Sequence, residues 1–481
     1  MTSLNPTPEQ EAILEQITVK PTENLMISAL AGTGKSATLK MIDQVHKITP
    51  ALYLVFSKRN QLEAVAAQKG GEFLPTTRIK TFNGLGHGIW ANSIAPTLTL
   101  DKDKTRNAWR ALMDDLTRVE QSELWPHYSV VMDGIEKAKS LGYVPPAVKF
   151  PHKALIDRRS LHLAMDERPT DHAAEIIDDI LQSSISKAYA GIIDFNDQIY
   201  MPALFGGAYP RFPRIMVDEY QDQSPVNHAL LSRLVKGNLI GVGDPNQNIY
   251  GFRGAKSGGM SSAVTTYSMA ELPLSVSFRC PSAIVEAARW RVPHFQWANI
   301  GGSVDSPTIF NGSSFPDHST IICRNNAPLL RLAFKLISSG RSVNVLGSEL
   351  GPRLVNIMKK LGDTSISRQA MLINIEAWRE SKLAAGSKSA PDMADCMRVF
   401  AEHGDSLGQA ISYAEHLFAQ KGTISLLTGH KSKGLEFDSV YWLDPGLVDI
   451  TVEQDANLKY VIQTRSKNKL TMIDSENVKW D

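Results

Sequence analysis

Residues 29–36 read Ala-Leu-Ala-Gly-Thr-Gly-Lys-Ser directly after the apolar run Leu25-Met26-Ile27-Ser28. A strand that turns through small residues into a helix lets backbone N–H groups and the helix N-terminus converge on phosphate oxygens. Gly32 and Gly34 allow that close approach, Lys35 supplies a cation for the β and γ phosphates, and the Ser36 hydroxyl can ligate Mg²⁺. Ala29 stands where the usual eight-residue pattern has its first glycine. Much later the chain reads Val217-Asp218-Glu219-Tyr220-Gln221-Asp222 after apolar Ile215-Met216. Carboxylates at the C-terminal end of a buried strand lie where parallel sheets bind ligands. Asp218 is placed to hold Mg²⁺, and Glu219 to orient and deprotonate an attacking water. Taken singly, the two segments also read as a Gly-rich turn before an ordinary helix and an acidic turn capping one. Together they imply binding and hydrolysis of a nucleoside triphosphate.

Such residues need parallel strands to carry them, and the chain supplies two sets. Apolar runs at 25–28, 52–56, 215–217 and 239–242, and again at 320–323, 343–346, 424–427, 439–443 and 470–473, alternate with helical stretches. Two parallel-sheet domains are expected. Residues 100–190 break the rhythm, being charged, rich in helix formers and nearly free of strand signals, and read as a helical insertion. A second break lies at 351–420, where residues 381–392 read as a surface loop between helices. With 481 residues, 43% hydrophobic and 21% charged, the composition is that of an ordinary globular protein too long for one core. No apolar run has the ~18 residues of a membrane span, and Met1-Thr2-Ser3-Leu4-Asn5-Pro6 lacks a basic start and apolar core, so a cytoplasmic protein is expected, or a nuclear one in a eukaryotic host. Cys280, Cys323 and Cys396 lack metal-ligand spacing. A formal net charge of +1 leaves nucleic-acid binding to local patches.

Further segments fall in a recognisable order. They include Gln10 in Asn5-Pro6-Thr7-Pro8-Glu9-Gln10, Phe56-Ser57-Lys58, Thr81-Phe82-Asn83-Gly84-Leu85-Gly86-His87 and Asp194-Phe195-Asn196-Asp197. The run from Gly243 to Ala255, Gly-Asp-Pro-Asn-Gln-Asn-Ile-Tyr-Gly-Phe-Arg-Gly-Ala, is the most distinctive. Ser277-Phe278-Arg279, the stretch Thr428-Gly429-His430-Lys431-Ser432-Lys433-Gly434-Leu435-Glu436-Phe437 and Tyr460-Val461-Ile462-Gln463-Thr464-Arg465 complete the series. Over residues 4–473 the chain resembles the UvrD/Rep-type helicases of superfamily 1A, and its C-terminal part is similar to the F-box DNA helicase branch.

The resemblance implies an α/β fold of two RecA-like parallel-sheet P-loop domains with helical insertions. The first domain would comprise residues 1–95 and 191–268 around insertion 96–190, the second residues 269–350 and 421–481 around a reduced insertion 351–420. ATP and Mg²⁺ would be the cofactors. Lys35, Asp218, Glu219, Gln247, Arg279 and Arg465 would carry hydrolysis, with Gln247 sensing the γ-phosphate and the two arginines holding phosphoryl charge across a cleft between the domains. Gln10 would read adenine, the loop residues Ala31, Gly32, Thr33, Gly34, Lys35 and Ser36 the phosphates, Glu436 the ribose, and Phe278 would stack on the base. Phe56, Ser57, Thr81, Phe82, Phe195, Tyr250, Phe252, Thr428 and His430 would contact a DNA strand. The implied activity is that of an ATP-dependent DNA helicase or single-strand translocase, 3′ to 5′, in repair, recombination or replication. It would act as a monomer on single-stranded and tailed or forked DNA, alongside recombination or replication proteins. A translocase that strips proteins from DNA, or an ATP-switched DNA-binding subunit of a nuclease or defence complex, is the alternative.

Each aromatic taken alone also suits a core, Arg279 and Arg465 suit surface ion pairs, and Lys431 and Lys433 suit a solvated basic face. Leu30, Tyr220, Asn227, Phe252, Ser277 and Phe278 depart from the family pattern without removing a catalytic group. They point to a divergent branch, phage-encoded or carried on a mobile element.

Overall fold

The computed structural model describes residues 5–45, 47–94, 97–149, 154–251, 258–347 and 349–480. The chain divides into two compact units, Met1–Leu274 and Ser275–Asp481.

The first unit is built on six strands: β1 (Leu25–Ala29), β2 (Ala51–Val55), β3 (Arg78–Thr81), β4 (Phe212–Val217), β5 (Val235–Gly243) and β6 (Ala270–Leu274). They pair in the order β3-β2-β4-β5-β1-β6, every pairing parallel. The interior strands β1 and β2 are buried almost throughout, as continuous apolar runs covered on both faces must be. Around the sheet lie α1 (Pro8–Val19), α2 (Lys35–Val45) and α3 (Phe82–Ile94). Helix α1 starts in a capping box in which Thr7 and Gln10 each accept the other's backbone N–H, so its first turn is fixed by side chains near Gly34.

Between α3 and β4 the chain forms a helical layer that includes α4 (Lys104–Asp114), α5 (Tyr128–Leu141) and α6 (Asp171–Tyr189), followed by α7 (Asp197–Phe205). A short parallel pair, Thr99–Leu100 with Ile192–Ile193, joins the two ends of this layer, strands too brief to show as apolar runs. Ile135, Ile177, Ile180 and Leu181 of the layer share one apolar core with Leu54, Ile215 and Val217 of the sheet.

The second unit repeats the architecture with β7 (Ser303–Asp305), β8 (Thr320–Cys323), β9 (Val343–Val345), β10 (Ile424–Thr428), β11 (Phe437–Leu443) and β12 (Ser466–Ile473). The order is β7-β12-β11-β8-β10-β9, again all parallel. Residues 350–419 form α8 (Leu350–Met358), α9 (Arg368–Ala384), α10 (Ala390–His403) and α11 (Leu407–Ala419). Leu354, Met371, Phe400 and Leu417 of these helices lie in the same apolar core as Ile321, Leu426 and Leu443 of the sheet. The helices therefore pack as part of the second unit.

Two boundaries differ from the sequence reading. Residues 269–274, expected in the second domain, supply β6 at the edge of the first sheet, where Leu30 N–H also donates to Leu274 O at 3.0 Å. Pro273, fourth of the five residues, and Glu271 hide that strand as an apolar run, and an edge is where a strand tolerates proline. The loop expected at 381–392 is shorter, because Lys382, Leu383 and Ala384 continue α9 until Gly386 breaks it at φ 87°. Among the described residues no helix is long and apolar enough to cross a membrane.

Helices α3 and α7 meet backbone to backbone, since a Cβ at Gly86 would overlap the carbonyl oxygen of Gln198. Gly86→Ala should lower the unfolding free energy by about 1–3 kcal/mol, the cost of forcing atoms into a packed contact. Denaturant titration checks this, and a midpoint equal to the parent's would show that the two helices yield freely.

Candidate active site

Three neighbouring strands of the first sheet end at one place. Strand β1 runs into the loop 30–34 and then α2, β4 delivers Asp218 and Glu219, and β5 delivers Asp244 to Gln247. The loop is wound by Gly32 at φ 73° and Gly34 at φ 85°, a backbone conformation that residues with a Cβ rarely adopt. Ala31 and Thr33 are buried, the Thr33 hydroxyl donates to Leu30 O at 2.9 Å, and Ser36 is exposed in the first turn of α2. Lys35 Nζ lies 3.5 Å from Ala29 O at the end of β1.

Asp218 is buried, and its N–H donates to Leu54 O of β2 at 3.0 Å. Burial and the adjacent Glu219 charge push its carboxyl up to about 6, against the pull of Lys35 and of the Tyr53 hydroxyl, which donates to Oδ2 at 3.0 Å. Asp244 is raised as well by burial, with Lys35 again acting against the rise. Lys35 thus sits in the field of carboxylates from two strands.

Glu219 takes the left-handed conformation, φ 48° and ψ 49°, uncommon for a residue with a side chain. Its N–H donates to Asp218 Oδ1 at 2.9 Å, and its carbonyl accepts from Gln223 Nε2 at 3.3 Å. Gln221, absent from the sequence-based set, holds its carboxylate: Nε2 donates to Glu219 Oε2 at 2.6 Å while Oε1 accepts the Asp244 N–H at 3.1 Å. The closeness of that bridge explains Gly243, where a Cβ would overlap Gln221 Oε1. Gln247 is also fixed, its Nε2 donating to Asp244 Oδ2 at 2.7 Å. Gln10 is buried near the loop with both ends of its amide engaged, Oε1 by the Thr7 N–H and Nε2 by the Thr38 hydroxyl at 3.0 Å each.

Among the residues expected to contact a strand, Phe56 is 38% exposed and its ring lies parallel to that of Tyr250, centroids 6.3 Å apart and planes 8° from parallel. Phe195 is 50% exposed. Phe82 is a correction: at 4% exposure it packs in the core of the first unit, because α3 turns its first residue inward, and it presents no ring to a base. The Ser57 and Thr81 hydroxyls accept the N–H groups of Asn60 and Gly84, at 3.1 and 3.0 Å, in the first turns of the helices that follow. Phe252 lies outside the described residues.

In the second unit, Phe278 is exposed. Arg279 pairs with Glu436, which also faces Lys467 at 3.8 Å. The Arg465 guanidinium donates to Val461 O at 3.0 Å and Leu435 O at 3.1 Å. Thr428 precedes the short helix Gly429–Ser432 that carries His430. Burial, with Arg324 nearby, drives the His430 imidazole down to about 4, so it is neutral at physiological pH. Among the described residues no group of three or more His, Cys, Asp or Glu side chains could hold a metal ion.

Gln221→Leu should release the Glu219 carboxylate and lower the turnover number for ATP about 10–100-fold, the scale of a misplaced reacting group. Nucleotide affinity should hold, since the bonds removed are those of Gln221 to Glu219 and Asp244 and none to residues 30–36. Steady-state kinetics with a fluorescent-nucleotide titration decide it, and a parental turnover number would show that the bridge is incidental.

The UvrD/REP helicase N-terminal domain model matches residues 79–268, and the UvrD-like helicase C-terminal domain model matches residues 388–477. F-box DNA helicase protein 1 of Schizosaccharomyces pombe is 23% identical over 98% of this chain and 57% of its own length. F-box DNA helicase 1 of Gallus gallus is 24% identical over 98% of this chain and 49% of its own. DNA helicase II of Escherichia coli is 24% identical over 56% of this chain and 38% of its own. The chain thus spans about half the length of the curated relatives it matches.

Proposed function

Because the chain belongs to the UvrD/REP-type helicases, with models of that family matching in both of its units, we propose that it hydrolyses ATP to move along single-stranded DNA and unwind duplex ahead of it. The observation that carries this reading is the convergence of Lys35, Asp218, Glu219 and Gln247 at the C-terminal ends of three adjacent strands. Loop N–H groups and Lys35 would bind the phosphates, and Glu219, aimed by Gln221, would orient and deprotonate the attacking water. Gln247, held by Asp244, would report whether the γ-phosphate is present.

Asp218 and the exposed Ser36 hydroxyl would hold Mg²⁺. One buried carboxylate and a hydroxyl suit that ion, which keeps waters and phosphate oxygens as its other ligands. When bound, it would neutralise charge on the phosphate oxygens. Gln10 would meet adenine by exchanging a contact with Thr7 or Thr38. Arg279 and Arg465 are the proposed phosphoryl-holding arginines, and Phe278 and Glu436 the proposed base and ribose contacts. Arg279 would have to exchange its Glu436 partner to serve.

Phe56 with Tyr250, and Phe195, supply ring faces on which bases stack irrespective of sequence. Thr428 and a neutral His430 would serve the strand from the second unit. The 3′ to 5′ direction, the tailed or forked substrate, and work beside recombination or replication proteins are proposed from the resemblance. A single copy is the proposed active form, because residues 350–419 share the core of the second unit instead of forming a separate body. A pure ATP switch is disfavoured by the intact and positioned Glu219.

ATPase rates with and without single-stranded DNA, and strand displacement on 3′-tailed, 5′-tailed and blunt duplexes, test the reading. Hydrolysis should rise well above the DNA-free rate, with displacement confined to the 3′-tailed duplex. Equal rates with and without DNA would overturn the coupling, and displacement from the 5′ tail alone would reverse the direction.

A further inference from the structure

Beneath the exposed Phe195 lie four buried charges. Lys104 of α4 and Lys139 of α5 are each 1% exposed. Lys104 Nζ lies 2.5 Å from Asp197 Oδ2, and Lys139 Nζ lies 2.5 Å from Asp194 Oδ2 and 2.7 Å from Asp197 Oδ1. Both ammonium groups also donate to Ser184 of α6, Lys104 to its carbonyl at 2.7 Å and Lys139 to its hydroxyl at 2.8 Å. Two positive and two negative charges thus balance inside the protein, where an unpaired one would be costly.

The two carboxylates belong to a turn that they also close. Asp194 N–H donates to Asp197 Oδ2 at 3.0 Å and Asp197 N–H donates to Asp194 Oδ1 at 2.9 Å, so the intervening Phe195 and Asn196 are held in a loop with both ends tied. The Phe195 carbonyl accepts from Asn83 Nδ2 at 2.7 Å. The ring itself is half exposed and borders a cleft of about 420 Å³ lined also by Tyr128, Met132 and Ile135. Its placement therefore comes from the anchored backbone more than from side-chain packing.

We propose that Lys104 and Lys139 are positioning residues through which the helices of residues 104–189 set Phe195 as a stacking platform for a single-stranded nucleic acid. This rests on reading Phe195 as a strand contact. It adds that the helical layer, through the buried pairs of Lys104 and Lys139, determines how firmly the strand is gripped. Buried lysines on charged helices would otherwise be an expensive way to hold a surface turn.

The test uses the full chain and a thymidine oligonucleotide carrying one 2-aminopurine, whose fluorescence is quenched by stacking. Phe195→Ala tests the underlying reading and should weaken binding about tenfold while relieving the quench. Because Lys139→Met alone leaves a buried anion, the informative variant is Lys139→Met with Asp194→Asn, which removes one charge of each sign and keeps an acceptor for the Asp197 N–H. It should lose affinity and quench to a similar degree, leave DNA-free ATPase unchanged, and add nothing when combined with Phe195→Ala. Parental affinity in the paired variant while Phe195→Ala is weak would overturn the positioning role, as would losses that multiply in the combined protein. Parental affinity in Phe195→Ala would instead remove the strand-contact reading.

Discussion

Lys35 stands in the field of two buried carboxylates, Asp218 at the end of one strand and Asp244 at the end of its neighbour, and the hydrogen bonds at these strand ends keep those charges in place. Buried charge is tolerated only where partners are fixed. Tyr53 and the Glu219 N–H serve Asp218, and Gln247 and the Asn246 N–H serve Asp244. Gln221 then ties the two strand ends together through Glu219. Such a set of groups is preorganised, so the proposed arrival of phosphate charge would require little rearrangement. The left-handed backbone at Glu219 is one cost of that arrangement, held by hydrogen bonds on both sides of the residue.

Interior strands were readable from sequence because parallel strands covered on both faces must be short apolar runs. The strands at 51–55, 320–323 and 424–428 follow that rule. Edge strands obey no such constraint. Arg78–Thr81 exposes Arg78 and Lys80, and Ala270–Leu274 contains Pro273, so both escape a search for apolar runs. Missing the second moved the expected domain boundary from 274 to 268.

The loop at 30–34 and the acidic pair at 218–219 were locatable in the sequence because each is a run of residues adjacent in the chain at the end of an apolar strand. Gln221 was not, since its role depends on meeting the Asp244 N–H from another strand. Lys104 and Lys139 were not singled out within the helical insertion, because a lysine on a helix carries no local sign that its ammonium will be buried against Asp197 and Asp194, 93 and 55 residues away. Phe82 shows the reverse failure: its place in a strand-contacting motif said nothing about which way the helix turns its ring.

Glu219 is the proposed base for the attacking water and its neighbours the proposed nucleotide contacts, and Glu219→Gln separates the two roles most directly. The amide keeps the side chain's shape and an acceptor for Gln221 but cannot take a proton. Single-turnover hydrolysis measured beside equilibrium ATP binding should show parental affinity with hydrolysis abolished. Hydrolysis at the parental rate would contradict the assignment and move the base to another residue.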